Sequence, residues 1–171
     1  MKNVVEDYKG SKIILIGHSW GASLALMYLS QNSGVISKTI LIGSAPLNDE
    51  AAKIFGENIQ LRLSEESKAK LQSIKSEFDQ ASSDKERNTL IDSLWDFIDE
   101  GQVPRALEKI SDPVVAFHAD FDPIPMNETF NFLCNHIKGL KTIEVKKSGH
   151  SPWLEKSAQK IFLQDLLSEL D

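Results

Sequence analysis

The chain has 171 residues, a net charge of −6, 41% hydrophobic and 26% charged residues, and a single cysteine. These proportions suit an ordinary globular protein with one core and room for a small subdomain, and the acidic balance argues against a nucleic-acid partner or an anionic membrane surface. The apolar runs are too short to span a bilayer, Met1 to Gly10 is too polar for a signal peptide, and Cys134 cannot form an intramolecular disulfide, so a reducing cytoplasm is expected.

Asn3 to Gly10 reads as the tail of an amphipathic helix, stopped by Gly10. Ile13 to Ile16 is a short, β-branched apolar run, suited to a strand buried on both faces. Ala22 to Leu29 is a run of helix formers with no charge. Between strand and helix lies Gly17-His18-Ser19-Trp20-Gly21, a G-x-S-x-G pattern. In that context the chain turns sharply and holds Ser19 at the apex, with its hydroxyl exposed at the end of the sheet. Gly17 and Gly21 bring no side chain into so tight a turn. The Trp20 backbone N–H, at the helix start, points to where an oxyanion would form. Taken alone, the same five residues also fit a plain strand-to-helix turn with an N-capping serine.

Lys38 to Gly43 is a second short buried strand, so residues 13–43 form a βαβ unit, which implies a parallel sheet. In such sheets sites form at the carboxyl ends of the strands, where Ser19 lies. From residue 48 to residue 110 there is no strand signal, and the segment is too long for a bare loop. Ser64-Glu65-Glu66 begins a helix striped by Leu71, Ile74 and Phe78. Ser83-Asp84-Lys85-Glu86 is a capping box before a second helix with Leu90, Ile91, Leu94, Trp95 and Ile98. Arg105 to Ile110 adds a short turn. We expect a helical subdomain laid over the sheet's carboxyl edge. Its acids (Glu57, Glu65, Glu66, Glu77, Asp79, Glu86) include candidates for binding a cationic substrate, although such a set is more often a solvated face. Trp95 and Phe97 fit either a pocket or packing.

Val114 to His118 is a third apolar strand, followed by the rigid acidic loop Ala119-Asp120-Phe121-Asp122-Pro123-Ile124-Pro125. Asn127 to Ile137 reads as a helix with Phe130, Leu133 and Cys134 inward. Lys141 to Val145 alternates like an edge strand. The loop Ser148 to Trp153 carries His150, and Ser157 to Leu170 is a last helix with Ile161, Phe162, Leu166 and Leu170 on one side.

A serine, an aspartate and a histidine therefore follow three separate strands, in that order. Nucleophilic acyl transfer needs these groups: a hydroxyl to attack, an imidazole to take and return its proton, and a carboxylate to fix the imidazole tautomer. Each has a plainer reading. His150 fits a surface loop, Asp122 fits an Asx turn before Pro123, and Asp120 competes with Asp122 for the acid role. His18 and His118 read as supporting hydrogen-bonding residues and His136 as a surface residue. No cluster has metal-ligand spacing, so no metal and no cofactor are expected.

Three blocks carry a resemblance: Gly17 to Gly21, His118 to Pro125, and Gly149-His150-Ser151-Pro152-Trp153-Leu154-Glu155. Together the chain resembles the α/β-hydrolase superfamily and, within it, the proline iminopeptidase-like group. In that group the second block reads H-G-x-x-D, which places the acid on Asp122, with Ala119 in place of the glycine. The third reads G-H-x-P-x-x-E, which makes His150 the base. The resemblance implies a partial α/β-hydrolase fold: a mostly parallel sheet of about four strands flanked by helices, with residues 1–47 and 111–171 as core and 48–110 as helical cap. It implies a serine hydrolase acting on a small ester, amide or peptide, with Ser19, Asp122 and His150 catalytic and Trp20 as oxyanion donor. Family members carry four more strands and a helix upstream, including a second oxyanion donor, with no counterpart in these 171 residues. The strand at Ile13 would then be a sheet edge, open to pairing with a second copy or with a separate N-terminal piece. That edge supports the alternative of a hydrolase-fold domain that associates and has little activity of its own.

Overall fold

The computed structural model describes residues 5, 7, 8, 10–80 and 103–170. Four strands form one sheet: β1 (Ile14–His18), β2 (Lys38–Ile42), β3 (Val114–Ala119) and β4 (Lys141–Val145). Spatial order equals chain order and every pair is parallel. β1 is therefore an edge, and Ile16 upon it is 47% exposed. The helices are α1 (Trp20–Gln31), α2 (Asp49–Arg62), α3 (Glu65–Gln80), α4 (Val103–Leu107), α5 (Met126–His136) and α6 (Gln159–Ser168).

Strand side chains alternate between two apolar layers, as a period of two requires. Leu41, Val114 and Ala116 face one layer with Leu26 and Leu29 of α1, Val103 and Leu107 of α4, and Leu133 of α5. Ile40, Ile42, Val115 and Phe117 face the other, with Phe162 of α6. The connections β1–β2, β2–β3 and β3–β4 all advance the same way across the sheet. Crossovers of one hand then put α1, α4 and α5 on one face, and α6, after the last strand, covers the other. Phe162 meets Phe117 edge-on, with ring centroids 5.6 Å apart. Burying each such ring stabilises the fold by about 1.5–3 kcal/mol.

Val103, Leu107 and Ile110 sit in the same apolar layer as α1. Two expectations change. Cys134 is exposed, because the inward positions of α5 are Thr129 and Leu133. In α6, Ile161 points outward at 63% exposure, while Phe162, one residue on, takes the inward place. The helix expected around Leu90 to Ile98, its capping box and the Trp95 and Phe97 positions lie outside the described residues.

Candidate active site

Ser19 follows β1 and precedes α1 with φ 55° and ψ −119°, a left-handed φ that a non-glycine residue adopts only under constraint. Two bonds impose it. The Ser19 N–H donates to the Ile42 carbonyl at 2.9 Å, and the Ala22 N–H donates to the Ser19 carbonyl at 3.0 Å. Gly17 is required by contact. A Cβ there would lie 2.4 Å from the Gly21 carbonyl oxygen. Gly21 differs from expectation, since a Cβ there would meet nothing within 4 Å. Its backbone, not its missing side chain, shapes the elbow.

The acid loop and the histidine loop follow β3 and β4, two adjacent parallel strands. They are laced together. The Asp120 N–H donates to Val145 O (3.1 Å) and the Phe121 N–H to Ser148 O (2.9 Å). The two aspartates divide. Asp120 Oδ1 accepts the Ser148 N–H at 3.1 Å, away from the histidine. Burial alone would raise the Asp120 carboxyl, but the Lys147 and Ser148 N–H groups and the Lys146 ammonium outweigh it and hold it below the usual carboxylate range. Asp122 is buried; its Oδ1 accepts the Ile124 N–H at 2.9 Å and its Oδ2 accepts His150 Nδ1–H at 2.8 Å. An imidazole that donates from Nδ1 keeps its lone pair on Nε2, as a general base requires.

Gly43, just past β2, has φ +51°, and a Cβ there would stand 3.1 Å from both Asp122 Oδ2 and His150 Nδ1. The bare backbone at residue 43 is what lets the pair close over the strand end. Ser19 and His150 line one cavity of about 230 Å³. Among the described residues no hydrogen bond joins them. Such contacts often tighten only when substrate binds. Trp20, at the first position of α1, also lines this cavity and is 41% exposed.

His18 and His118 support the two loops. His18 Nε2–H donates to the His150 carbonyl at 2.9 Å, and its ring contacts His150 and Trp153, each at 4.6 Å between centroids. His118 is buried behind Asp122, with Nε2 3.6 Å from Oδ2, and it donates to the Ile124 carbonyl at 3.1 Å. Burial lowers the His118 pKa, with the Asp122 charge partly opposing it. His136 is half-buried rather than superficial, with Nδ1 3.5 Å from Glu108. Among the described residues no group of three His, Cys, Asp or Glu is arranged to hold a metal ion, and no helix is long and apolar enough to cross a membrane.

α2 escaped the sequence reading, and it roofs the site. Phe55 and Ile59 line the cavity. Asn58 Nδ2 donates to Pro123 O at 2.8 Å, and Arg62 donates to Phe121 O at 2.7 Å and Asp122 O at 3.4 Å. These residues share one helical face at i, i+3, i+4 and i+7. The signal was present at the helix start. Asn48 accepts the Ala51 N–H at 2.8 Å as N-cap, and Asp49 and Glu50 follow in the first turn.

A parallel sheet with a strained serine elbow after one strand and an Asp–His pair after two others is a known architecture. A family model for the alpha/beta hydrolase fold matches residues 1–72. Solved structures agree over 93–99% of the chain. The chain has a partial α/β-hydrolase fold. A bromoperoxidase from Bacillus anthracis is similar with TM-score 0.63 and 17% identity, over 99% of this chain and 71% of that one. An esterase from Exiguobacterium antarcticum gives 0.58 and 21%, over 98% and 70%. A predicted CIB-like hydrolase from Thermoplasma acidophilum gives 0.55 and 13%, over 93% and 50%. The chain thus spans between half and about seven-tenths of the length of these hydrolase-fold structures. No curated protein matches it.

Proposed function

We propose that the chain carries the acyl-transfer machinery of a serine hydrolase. The reading is supported above all by the 2.8 Å bond between His150 Nδ1 and Asp122 Oδ2, beside a cavity that Ser19 also lines. Ser19 Oγ attacks the carbonyl carbon of an ester or amide while His150 Nε2 takes its proton. The Trp20 N–H binds the oxyanion. The protonated His150 then gives its proton to the departing alcohol or amine, leaving an acyl group on Ser19. Water, activated by His150, hydrolyses that acyl-enzyme and restores the hydroxyl. Asp122 holds the tautomer and offsets the imidazolium charge throughout. The proline iminopeptidase-like resemblance would make the substrate an N-terminal peptide bond, and a single cysteine suits action in a reducing cytoplasm.

The test is labelling with a fluorophosphonate probe, which phosphonylates an activated serine. Wild type should label rapidly, and Ser19→Ala and His150→Ala should not. A folded wild-type chain that fails to label would overturn the proposal. The second reading, association through the sheet edge, draws on the exposed Ile16 of β1. It requires concentration-dependent dimers in sedimentation velocity that Ile16→Lys abolishes. A monomer at all concentrations would rule out self-pairing.

A further inference from the structure

We infer that the acyl group this site accepts is small, uncharged and apolar, about four to six carbons long, and that Phe55 and Ile59 of α2 set its length. The inference rests on the serine-hydrolase reading and decides between its substrates. The cavity beside Ser19 is walled by Trp20, Ala45 and Pro46 on the nucleophile side and by Pro123 and Ile124 of the acid loop. Phe55 and Ile59, one helical turn apart, line it from α2. Ser19, His150 and the indole of Trp20 contribute its polar side-chain groups among the described residues, and Ser19 and His150 have roles in the proposed chemistry. Of the cap acids that were candidates for binding a cation, Glu57, Glu65 and Glu66 are exposed to solvent, while the Glu77 and Asp79 side chains and Glu86 lie outside what the structure describes. Glu65 is engaged by Lys68 at 2.5 Å.

Volume and wall chemistry then set the ligand. About 230 Å³ holds some seven to eight heavy-atom groups at ~30 Å³ each, below the range of roughly 300–1,000 Å³ typical for larger ligands. An ammonium moved from water to this wall loses its hydration and gains no counter-charge from the described lining, whereas each methylene gains by leaving water. The wall thus favours an alkanoyl group over an aminoacyl group of the same shape.

The experiment compares kcat/KM across p-nitrophenyl esters from acetate to dodecanoate. It also sets the p-nitroanilide of leucine against that of 4-methylpentanoic acid, the same skeleton without the amine. We expect up to about a fourfold rise per added methylene until the cavity fills, a decline beyond about six carbons, and at least tenfold preference for the uncharged anilide. Phe55→Ala and Ile59→Ala should each move the optimum to longer chains by two carbons or more. A flat chain-length profile, an optimum that neither variant moves, or leucine anilide cleaved as fast as its uncharged partner would each overturn the inference. If the wild type labels with fluorophosphonate and these results still go the wrong way, only the acyl inference falls. If it does not label, both fall.

Discussion

The two ends of the sheet are built on opposite terms. At the amino ends of the strands, charge is satisfied. Lys38 donates to the Glu169 carbonyl at 2.5 Å and lies 3.9 Å from its carboxylate, and Lys141 pairs with the same carboxylate. Lys12 donates to the Leu170 carbonyl at 3.3 Å. Three lysines thus meet the negative end of α6, where cations are favoured. Nearby, Asp112 accepts the Gly34 N–H at 3.0 and 3.1 Å and pins the turn before β2. At the carboxyl ends the chain accepts strain and apolar exposure instead. Ser19 after β1 and Lys147 after β4 hold positive φ without being glycine, and an apolar cavity opens between the loops. One end contributes stability and the other spends it on geometry. Substitutions at the two ends should therefore separate rate from stability.

The largest effect is expected from Asp122→Asn. Asparagine retains a carbonyl oxygen for the Ile124 N–H, so the loop turn survives. Its amide cannot also accept His150 Nδ1–H, and the imidazole turns to the wrong tautomer. Ester kcat/KM should fall by about 10³–10⁴ with little change in melting temperature. An equal loss of stability would mean that Asp122 serves the fold and not the histidine. Next comes Gly17→Ala, whose Cβ would lie 2.4 Å from the Gly21 carbonyl oxygen and 2.7 Å from Ala22 Cα. Overpacking against backbone should cost about 1–3 kcal/mol or more in urea unfolding. Gly21→Ala is the control: with no atom within 4 Å of the added Cβ, it should be neutral or slightly stabilising.

Glu169→Gln tests the opposite end. It removes the charge that Lys38 and Lys141 share, while keeping most of the shape. Because Lys141 is largely exposed, the cost should be about 1 kcal/mol, shrinking in high salt. The fluorophosphonate labelling rate should not change. A fall in labelling would show that the two ends are coupled through α6 and the strands.

Much of this contrast can be read in the residues. Three apolar runs announce β1 to β3, because a strand buried on both faces needs an unbroken β-branched series, and the alternation from Lys141 to Val145 announces β4 as an edge. The glycine-flanked serine between a strand and a helix announces the elbow. Asp120 and Asp122 could not be separated by spacing alone, since both sit on one loop. The resemblance favoured Asp122, and in the structure His150 is beside Asp122 while Asp120 turns to the Ser148 N–H. What sequence concealed was tertiary. Phe55, Asn58, Ile59 and Arg62 form a face of mixed chemistry over the candidate site, so no hydrophobic stripe marks it. Packing also places Val103 and Leu107 in the apolar layer with α1, which no spacing within residues 103–107 announces. Cys134 and Ile161 fall one step off the inward face, an error that a 3.6-residue period makes easy near helix ends.

The smallest effect separates the two acid-lowered groups by pH. His118 is kept neutral by burial, so its folded pKa lies below its ordinary 6.5. Its contribution to stability is complete above 6.5 and is lost as pH falls through the folded value, because the unfolded chain takes up the proton first. Asp120 is lowered from about 3.8, so its contribution is complete above that value and is lost further down the acid limb. Urea midpoints measured across pH should therefore decline in two windows. His118→Gln should flatten the first, just below pH 6.5, and Asp120→Asn should flatten the second, below about pH 4, by less, because Asp120 is exposed. The first window reports on the wall behind Asp122, and the second on the seam between the acid and histidine loops. If His118→Gln left the first window unchanged, burial behind Asp122 would not be what keeps the proton off His118, and the decline in that window would belong to another group.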